Sequence, residues 1–358
     1  MRRTLVIAEA GVNHDGSLDT ALELVDVAVD AGADVVKFQT FQIAEVVTPN
    51  APQAGYQQRN APAGSQEEML GSLVLDWEAH QAIAQHCRDR QIEFLSTAFD
   101  PGSLEWCLDL GVQRLKIPSG ELTNGPLLLA IARAGLPMIM STGMSTLADI
   151  ETALSIVAYG LSGAEGPPSR AELGVAYERA IRDGLLAERV TLLHCTSNYP
   201  AAPEDVHLAA MDTLGSAFGL PVGYSDHTLG TVLGLAAVAR GASVLEKHIT
   251  LDSARPGPDH AASLEPDGLQ ELVAGIRAIE AAIGSPAKYP TAAERDTIAV
   301  ARRSLVARRE IAQGEAFEPS NLTVLRPASG RSPLDYWELL GRPASRAYAA
   351  NELIDVSE

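Results

Sequence analysis

A chain of 358 residues suits one large domain with a small one beside it, and at 46% hydrophobic and 20% charged residues it is a folded globular protein, neither disordered nor fibrous. The formal net charge of -19 repels polyanions and no basic run offsets it, which excludes nucleic acid and acidic membrane surfaces as partners. An anionic substrate must then be captured by a few inward-pointing lysines.

The opening MRRTLVIAEAG imitates a signal peptide, with two arginines and an A-x-A, but its apolar run from Leu5 to Ala8 is too short and Glu9 interrupts it. It reads as a first strand. No apolar stretch approaches the ~20 residues of a membrane span. From here to Gly284, short β-branched runs alternate with helical patterns, giving candidate strands that end at Ala8, Phe38, Thr97, Ile117, Ser141, Cys195, Ser225 and Ile249. Eight parallel strands close a (β/α)8 TIM barrel in roughly 250 residues. A doubly wound sheet would alternate similarly, but the count of eight and the lack of a glycine-rich nucleotide fingerprint favour the barrel.

A helix is expected over 18–31, ended by Gly32. The segment 42–71 follows strand two, on the face where barrels place their chemistry, and is a candidate lid or specificity loop containing Tyr56 and Gln57. The segment 160–188 precedes strand six, on the opposite face; its helical pattern over 169–186 is expected to have no catalytic role. Beyond the barrel domain, 1–284, the stretch 285–300 reads as a linker. A second, mostly-β domain, 301–358, has a strand, a glycine turn and a second strand leading to Arg326. Cys87, Cys107 and Cys195 are odd in number and form no CxxC pair, which points to a reducing, cytoplasmic address.

Barrel enzymes carry their reactive groups at the C-terminal ends of strands. There the chain places Glu9, Asn13 and His14; Lys37 and Gln39; Ser96 and Thr97; Lys116, Ser119 and Glu121; Ser141 and Thr142; Thr196, Ser197 and Tyr199; Ser225, Asp226 and His227; and His248. Lys37 and Lys116 sit among apolar neighbours, so each must meet an anion, either a structural carboxylate or a substrate phosphate or carboxylate. His227 and His248 stand at adjacent strand ends, where two imidazoles can converge on a divalent metal or serve structure alone. His14 and His260 are weaker candidates. Asp259, in a Pro- and Gly-rich loop after strand eight, can face sugar hydroxyls or cap a turn.

The blocks IAEAGVNHDGS, DVVKFQTF, FLSTAFD, LKIPSGE, STGMST, LLHCTSNYP, GYSDHTLG, VLEKHITLD and PGPDHAASLEP, in this order, resemble those of the sialic acid synthase family, and the C-terminal part resembles its antifreeze-like (SAF) domain. The resemblance implies that Lys37, Thr97, Lys116, Ser119, Ser141 and Ser225 hold phosphoenolpyruvate, joined by Ser197 where some members carry asparagine. It implies a divalent metal, Mn2+ or Mg2+, on His227 and His248. It places Gln39, Glu121, Tyr199 and Asp259 at the acceptor sugar, and Glu9 beside the metal and the reacting carbons. Arg326 matches an SAF arginine that reaches the other subunit's site, implying a domain-swapped homodimer.

The reaction so implied condenses phosphoenolpyruvate with an N-acyl amino sugar and water, releasing phosphate by C–O cleavage, with Glu9, Lys116, His227 and His248 as the catalytic set. N-acetylmannosamine, giving N-acetylneuraminate, is the first acceptor to expect. The alternative is a 2,4-diacetamido-2,4,6-trideoxymannose giving N,N'-diacetyllegionaminate, and the QAGYQ stretch fits it; a pseudaminic acid branch fits less well. Rivals of other classes are a Schiff-base aldolase using Lys37 or Lys116 and a non-catalytic sugar-binding protein.

Overall fold

Alternation along each strand decides the architecture. In VVKFQT, Val36 and Phe38 pack in the layer between sheet and helices, while Val35 joins a separate interior cluster with Ile7, Leu95, Ile139, Leu193 and Val244. Those six occupy equivalent inward positions on six strands and fill one end of a closed barrel as a dry plug. Burying a side chain of this kind contributes about 1.5–3 kcal/mol. Every next inward position, two residues on, is different in character.

The computed structural model describes residues 3–60 and 64–358. The chain divides into two compact units, Met1–Gly284 and Ser285–Glu358. In the first, eight parallel strands close on themselves in sequential order: β1 Leu5–Gly11, β2 Val35–Thr40, β3 Glu93–Ala98, β4 Leu115–Ile117, β5 Met138–Ser141, β6 Val190–Cys195, β7 Val222–Asp226 and β8 Val244–His248. β8 returns to β1 with Glu9 opposite His248. The expected strands and their order are all present; Met1 and Arg2, ahead of β1, lie outside the described residues.

Helices follow the strands and start at side-chain caps. Ser17 caps Leu18–Asp30, Asp76 caps Trp77–Asp89, and Asp100 caps Pro101–Asp109, whose proline occupies the first turn. The helix expected over 169–186 is broken in two. Ser169 opens Arg170–Arg182 with a capping box, but Gly184 takes a left-handed φ of 73° and a new short helix, Leu185–Arg189, leads into β6. The candidate loop 42–71 forms three short helices, Ile43–Val46, Gly55–Asn60 and Gln66–Gly71; its residues 61–63 lie outside the described residues.

In the second unit, β9 Ser304–Ala307 and β10 Leu322–Leu325 pair antiparallel over a core that includes Leu305, Ile311, Phe317 and Tyr348. The stretch read as a linker, 285–300, groups with this unit and carries most of a helix, Arg295–Ala301. Arg326 follows β10 and is exposed.

Candidate active site

Two residues above the apolar plug, the inward positions become Glu9, Lys37, Thr97, Lys116, Ser141, Cys195, Ser225 and Glu246, with Gln39 and His248 one step higher. All ten line one cavity of about 430 Å³ at the C-terminal end of the barrel, together with Ser119, Ser197, Tyr199, His227 and Asp259. Of the barrel residues to which the family resemblance gave a role, all but Glu121 line this cavity; Asn13, His14, Ser96, Thr142, Thr196 and Asp226, also at strand ends, do not. In the turn Ser119–Glu121, Ser119 lines the cavity while Glu121 does not and accepts from Asn124 Nδ2 at 2.6 Å. His14 and His260 are buried elsewhere: Gly16 N donates to His14 Nδ1, and His260 sits between Thr250 and Asp15.

Two glycines make this packing possible. Gly11, at a register shift on β1, has φ 55°, and a β-carbon there would stand 3.2 Å from both Glu9 Oε1 and Gln39 Nε2. At Gly143 a β-carbon would come within 2.8 Å of Ser119 Oγ, the atom to which Gly143 N donates.

Both lysines meet carboxylates. Lys37 Nζ lies 2.7 Å from Glu9 Oε2 and 3.5 Å from Glu246 Oε2, and donates to Thr97 Oγ1 at 3.0 Å. Lys116 Nζ donates to Ser141 Oγ at 2.8 Å and lies 3.6 Å from Glu246 Oε1. Glu246 thus bridges two ammonium groups and also accepts from Ser225 Oγ at 2.8 Å. Burial alone would raise its carboxyl, but Lys116 and Lys37 outweigh it and hold Glu246 at about 2. Burial pulls both lysines down. For Lys37 the Glu246 and Glu9 carboxylates more than offset it, leaving its ammonium above the ordinary range; Lys116, with Glu246 opposing and Lys37 adding repulsion, stays below it. Glu9 is raised, chiefly by burial and against the pull of Lys37.

Beside this charge cluster the two histidines stand with ring centroids 5.3 Å apart. His227 Nδ1 donates to the Thr196 carbonyl at 2.7 Å, which fixes the tautomer and leaves Nε2 with a lone pair. His248 Nδ1 is buried without a hydrogen-bond partner, 3.5 Å from Asp259 Oδ2. Burial lowers His227 to about 4; burial and then His227 push His248 well below the imidazole range. Both rings are neutral, the form that binds a metal. Among the described residues no group of three His, Cys, Asp or Glu side chains gathers at ligating distance. Two neutral imidazoles side by side are a donor pair that would suit a divalent cation.

Tyr199 packs against His227 and His248, at 4.2 and 5.4 Å between centroids, and Tyr56 of the helix Gly55–Asn60 packs on Tyr199 at 5.0 Å. Asn60 Nδ2 donates to the Tyr199 carbonyl at 3.1 Å. Asp259, buried and repelled by Glu9, is raised to about 7.

Glu246 and Cys195 were not among the expected site residues. Their signal was available: each lies two positions beyond a plug residue, Val244 and Leu193, on a strand already assigned. Cys195 Sγ is 3.2 Å from Ser119 Oγ.

An eight-stranded parallel barrel whose strand ends gather two lysines, a row of hydroxyls and two neutral histidines defines a class, and the chain belongs to it: residues 24–288 match the NeuB family and 302–356 the SAF domain. Within that class the chain is 44% identical over 355 residues to the N,N'-diacetyllegionaminic acid synthase of Campylobacter jejuni, covering 99% of each chain. It is 43% identical over 348 residues to the synthase of the same name from Legionella pneumophila, covering 96% of this chain and 91% of that one. Among solved structures, the N-acetylneuraminic acid synthetase of Leptospira borgpetersenii superposes with a TM-score of 0.66 at 32% identity, over 83% of this chain and 90% of the other.

Proposed function

We propose that the protein condenses phosphoenolpyruvate with 2,4-diacetamido-2,4,6-trideoxymannose and water to give N,N'-diacetyllegionaminate and phosphate. The observation that carries this reading is the 44% identity, across essentially the whole of both chains, with a synthase named for that product. The N-acetylneuraminic acid synthetase structure stands at 32%. This reverses the order of acceptors expected from the sequence blocks, in which N-acetylmannosamine came first.

Phosphoenolpyruvate lies on the polar floor. Lys37 and Lys116 meet its phosphate and carboxylate, Thr97, Ser119, Ser141, Ser197 and Ser225 donate hydroxyl bonds, and the preset lysines save reorganisation when the anion arrives. A divalent cation, Mn2+ or Mg2+, held by His227 and His248 supplies Lewis-acid polarisation of the sugar aldehyde when bound. Gln39, Tyr199 and Asp259 orient the open-chain sugar above the donor. Carbon three of the enol attacks the aldehyde carbon, a C–C bond forms, and the aldehyde oxygen takes up a proton to become a hydroxyl. Glu9, 2.7 Å from Lys37 and raised by burial, takes a proton from the water that adds at carbon two. The C–O bond to phosphate then breaks as the hydroxyl at carbon two passes its proton to the departing phosphate, leaving a nine-carbon 2-keto acid. On this reading the enzyme works in a reducing cytoplasm as a domain-swapped homodimer, with Arg326 of the partner subunit completing the acceptor site.

Incubation with phosphoenolpyruvate and equimolar N-acetylmannosamine and the diacetamido sugar, followed by mass spectrometry, tests the reading. The diacetamido nine-carbon acid should dominate. A predominance of N-acetylneuraminate would overturn it.

A further inference from the structure

The cavity has two chemically different walls, and strand register explains why. Along β2 the inward side chains climb from Lys37 through Gln39, and Phe41 stands one step above; along β3 Thr97 is followed by Phe99. Each ladder passes from charge or hydroxyl at the floor to an aromatic ring at the rim. Phe41 and Phe99 meet edge to face, with centroids 6.2 Å apart and planes at 88°. Two of the short helices of 42–71 add Val46, Met69 and Leu70 to the same side of the cavity. Phe41, Phe99, Val46 and Leu70 belong to an apolar cluster separate from the barrel core. All four of those residues also line the cavity.

We infer that this hydrocarbon wall, formed by Phe41, Val46, Met69, Leu70 and Phe99, is the surface that selects the acceptor, by receiving the C6 methyl and the methyl of the C4 acetamido group. This rests on the reading given above and assigns its specificity to particular side chains. A methyl group and an acetamido methyl gain from leaving water against such a wall. A sugar hydroxyl set against these five side chains loses water hydrogen bonds that none of them replaces, although Gln57 and Gln66 line the same cavity. An apolar pocket rejects an added hydroxyl by only about 10- to 100-fold, so the wall sets a preference and not an absolute bar.

The test compares kcat/KM for the diacetamido sugar and for N-acetylmannosamine in the full-length protein and in Val46→Thr, Met69→Gln and Met69→Leu, with the KM for phosphoenolpyruvate measured alongside. Val46→Thr is nearly isosteric at a half-buried site, so it guards against loss of folding in the methionine variant. The ratio of the two acceptors should fall about tenfold in Val46→Thr and Met69→Gln while the donor KM holds, and Met69→Leu should restore it. If wild type prefers the diacetamido sugar but the ratio is unmoved, or both acceptors fall together, the wall does not read the sugar and the synthase reading survives. If wild type prefers N-acetylmannosamine, the synthase reading itself fails, and that is visible before any variant is made.

Discussion

Glu246 is the residue whose charge organises the donor site, because it faces Lys37 and Lys116 at 3.5 and 3.6 Å and accepts from Ser225. Without it two buried ammonium groups share only Glu9. Removing one partner of a buried ionic cluster costs about 3–5 kcal/mol, because the remaining charge keeps its desolvation penalty. Glu246→Gln keeps the volume and removes the charge, so the variant should melt earlier than wild type in buffer. Phosphoenolpyruvate or inorganic phosphate supplies the missing anion. Either should therefore raise the melting temperature of the variant more than that of wild type; an equal rise in both would show that the lysines do not bind these ligands. The place of Glu246 is readable from strand alternation, two positions beyond Val244 and two before His248 on β8.

At the scale of elements, a buried ion pair joins β7 and β8 directly beside the two histidines. Asp226 and Lys247 each precede a histidine, their side chains are fully buried, and Lys247 Nζ lies 3.0 Å from Asp226 Oδ2. Lys247 also donates to the Thr228 carbonyl, and Asp226 accepts from Tyr224, from Thr228 N and from Thr228 Oγ1. This network ties the end of β7 to β8. Lys247→Met should destabilise the protein by about 3 kcal/mol, and Asp226→Asn with Lys247→Met should cost less than the sum of the singles. On the proposed metal site at His227 and His248, Mn2+ affinity, measured by titration calorimetry, should fall about tenfold in the single variants. Lower stability with unchanged Mn2+ affinity would make the pair a structural tie and nothing more. Elements of this kind were legible in the sequence where periodicity carried the message: all eight strands, the helix ended by Gly32 and the lysines with their hydroxyl neighbours. What escaped depended on three-dimensional pairing. The identity of the anions at Lys37 and Lys116 follows from contacts between segments far apart in the chain, which no local pattern encodes.

For the whole molecule, acid sets two effects against each other. The chain carries a net charge of -19 at pH 7, and protonating surface carboxylates relieves that repulsion. Buried histidines act the other way. His14 is lowered to about 4, chiefly by burial and then by His80, with Asp15 opposing. The unfolded chain protonates this ring below its ordinary value of 6.5 while the folded chain resists until about 4. Between those values the unfolded state binds more protons, so stability is lost as pH falls through the window and is fully present above it. The gap corresponds to about 3 kcal/mol at about 1.4 kcal/mol for each pH unit. His14→Asn isolates this contribution, because an asparagine oxygen can still accept from Gly16 N, as His14 Nδ1 does at 3.0 Å, and cannot protonate. Surface repulsion and the opposite behaviour of Asp259, raised to about 7, are common to both proteins and cancel in the comparison. Urea unfolding across the window should therefore give the variant the shallower loss of stability on acidification, the gap between the two proteins closing or inverting toward pH 4. Parallel pH profiles would mean that His14 is protonated in the folded barrel as readily as in the unfolded chain.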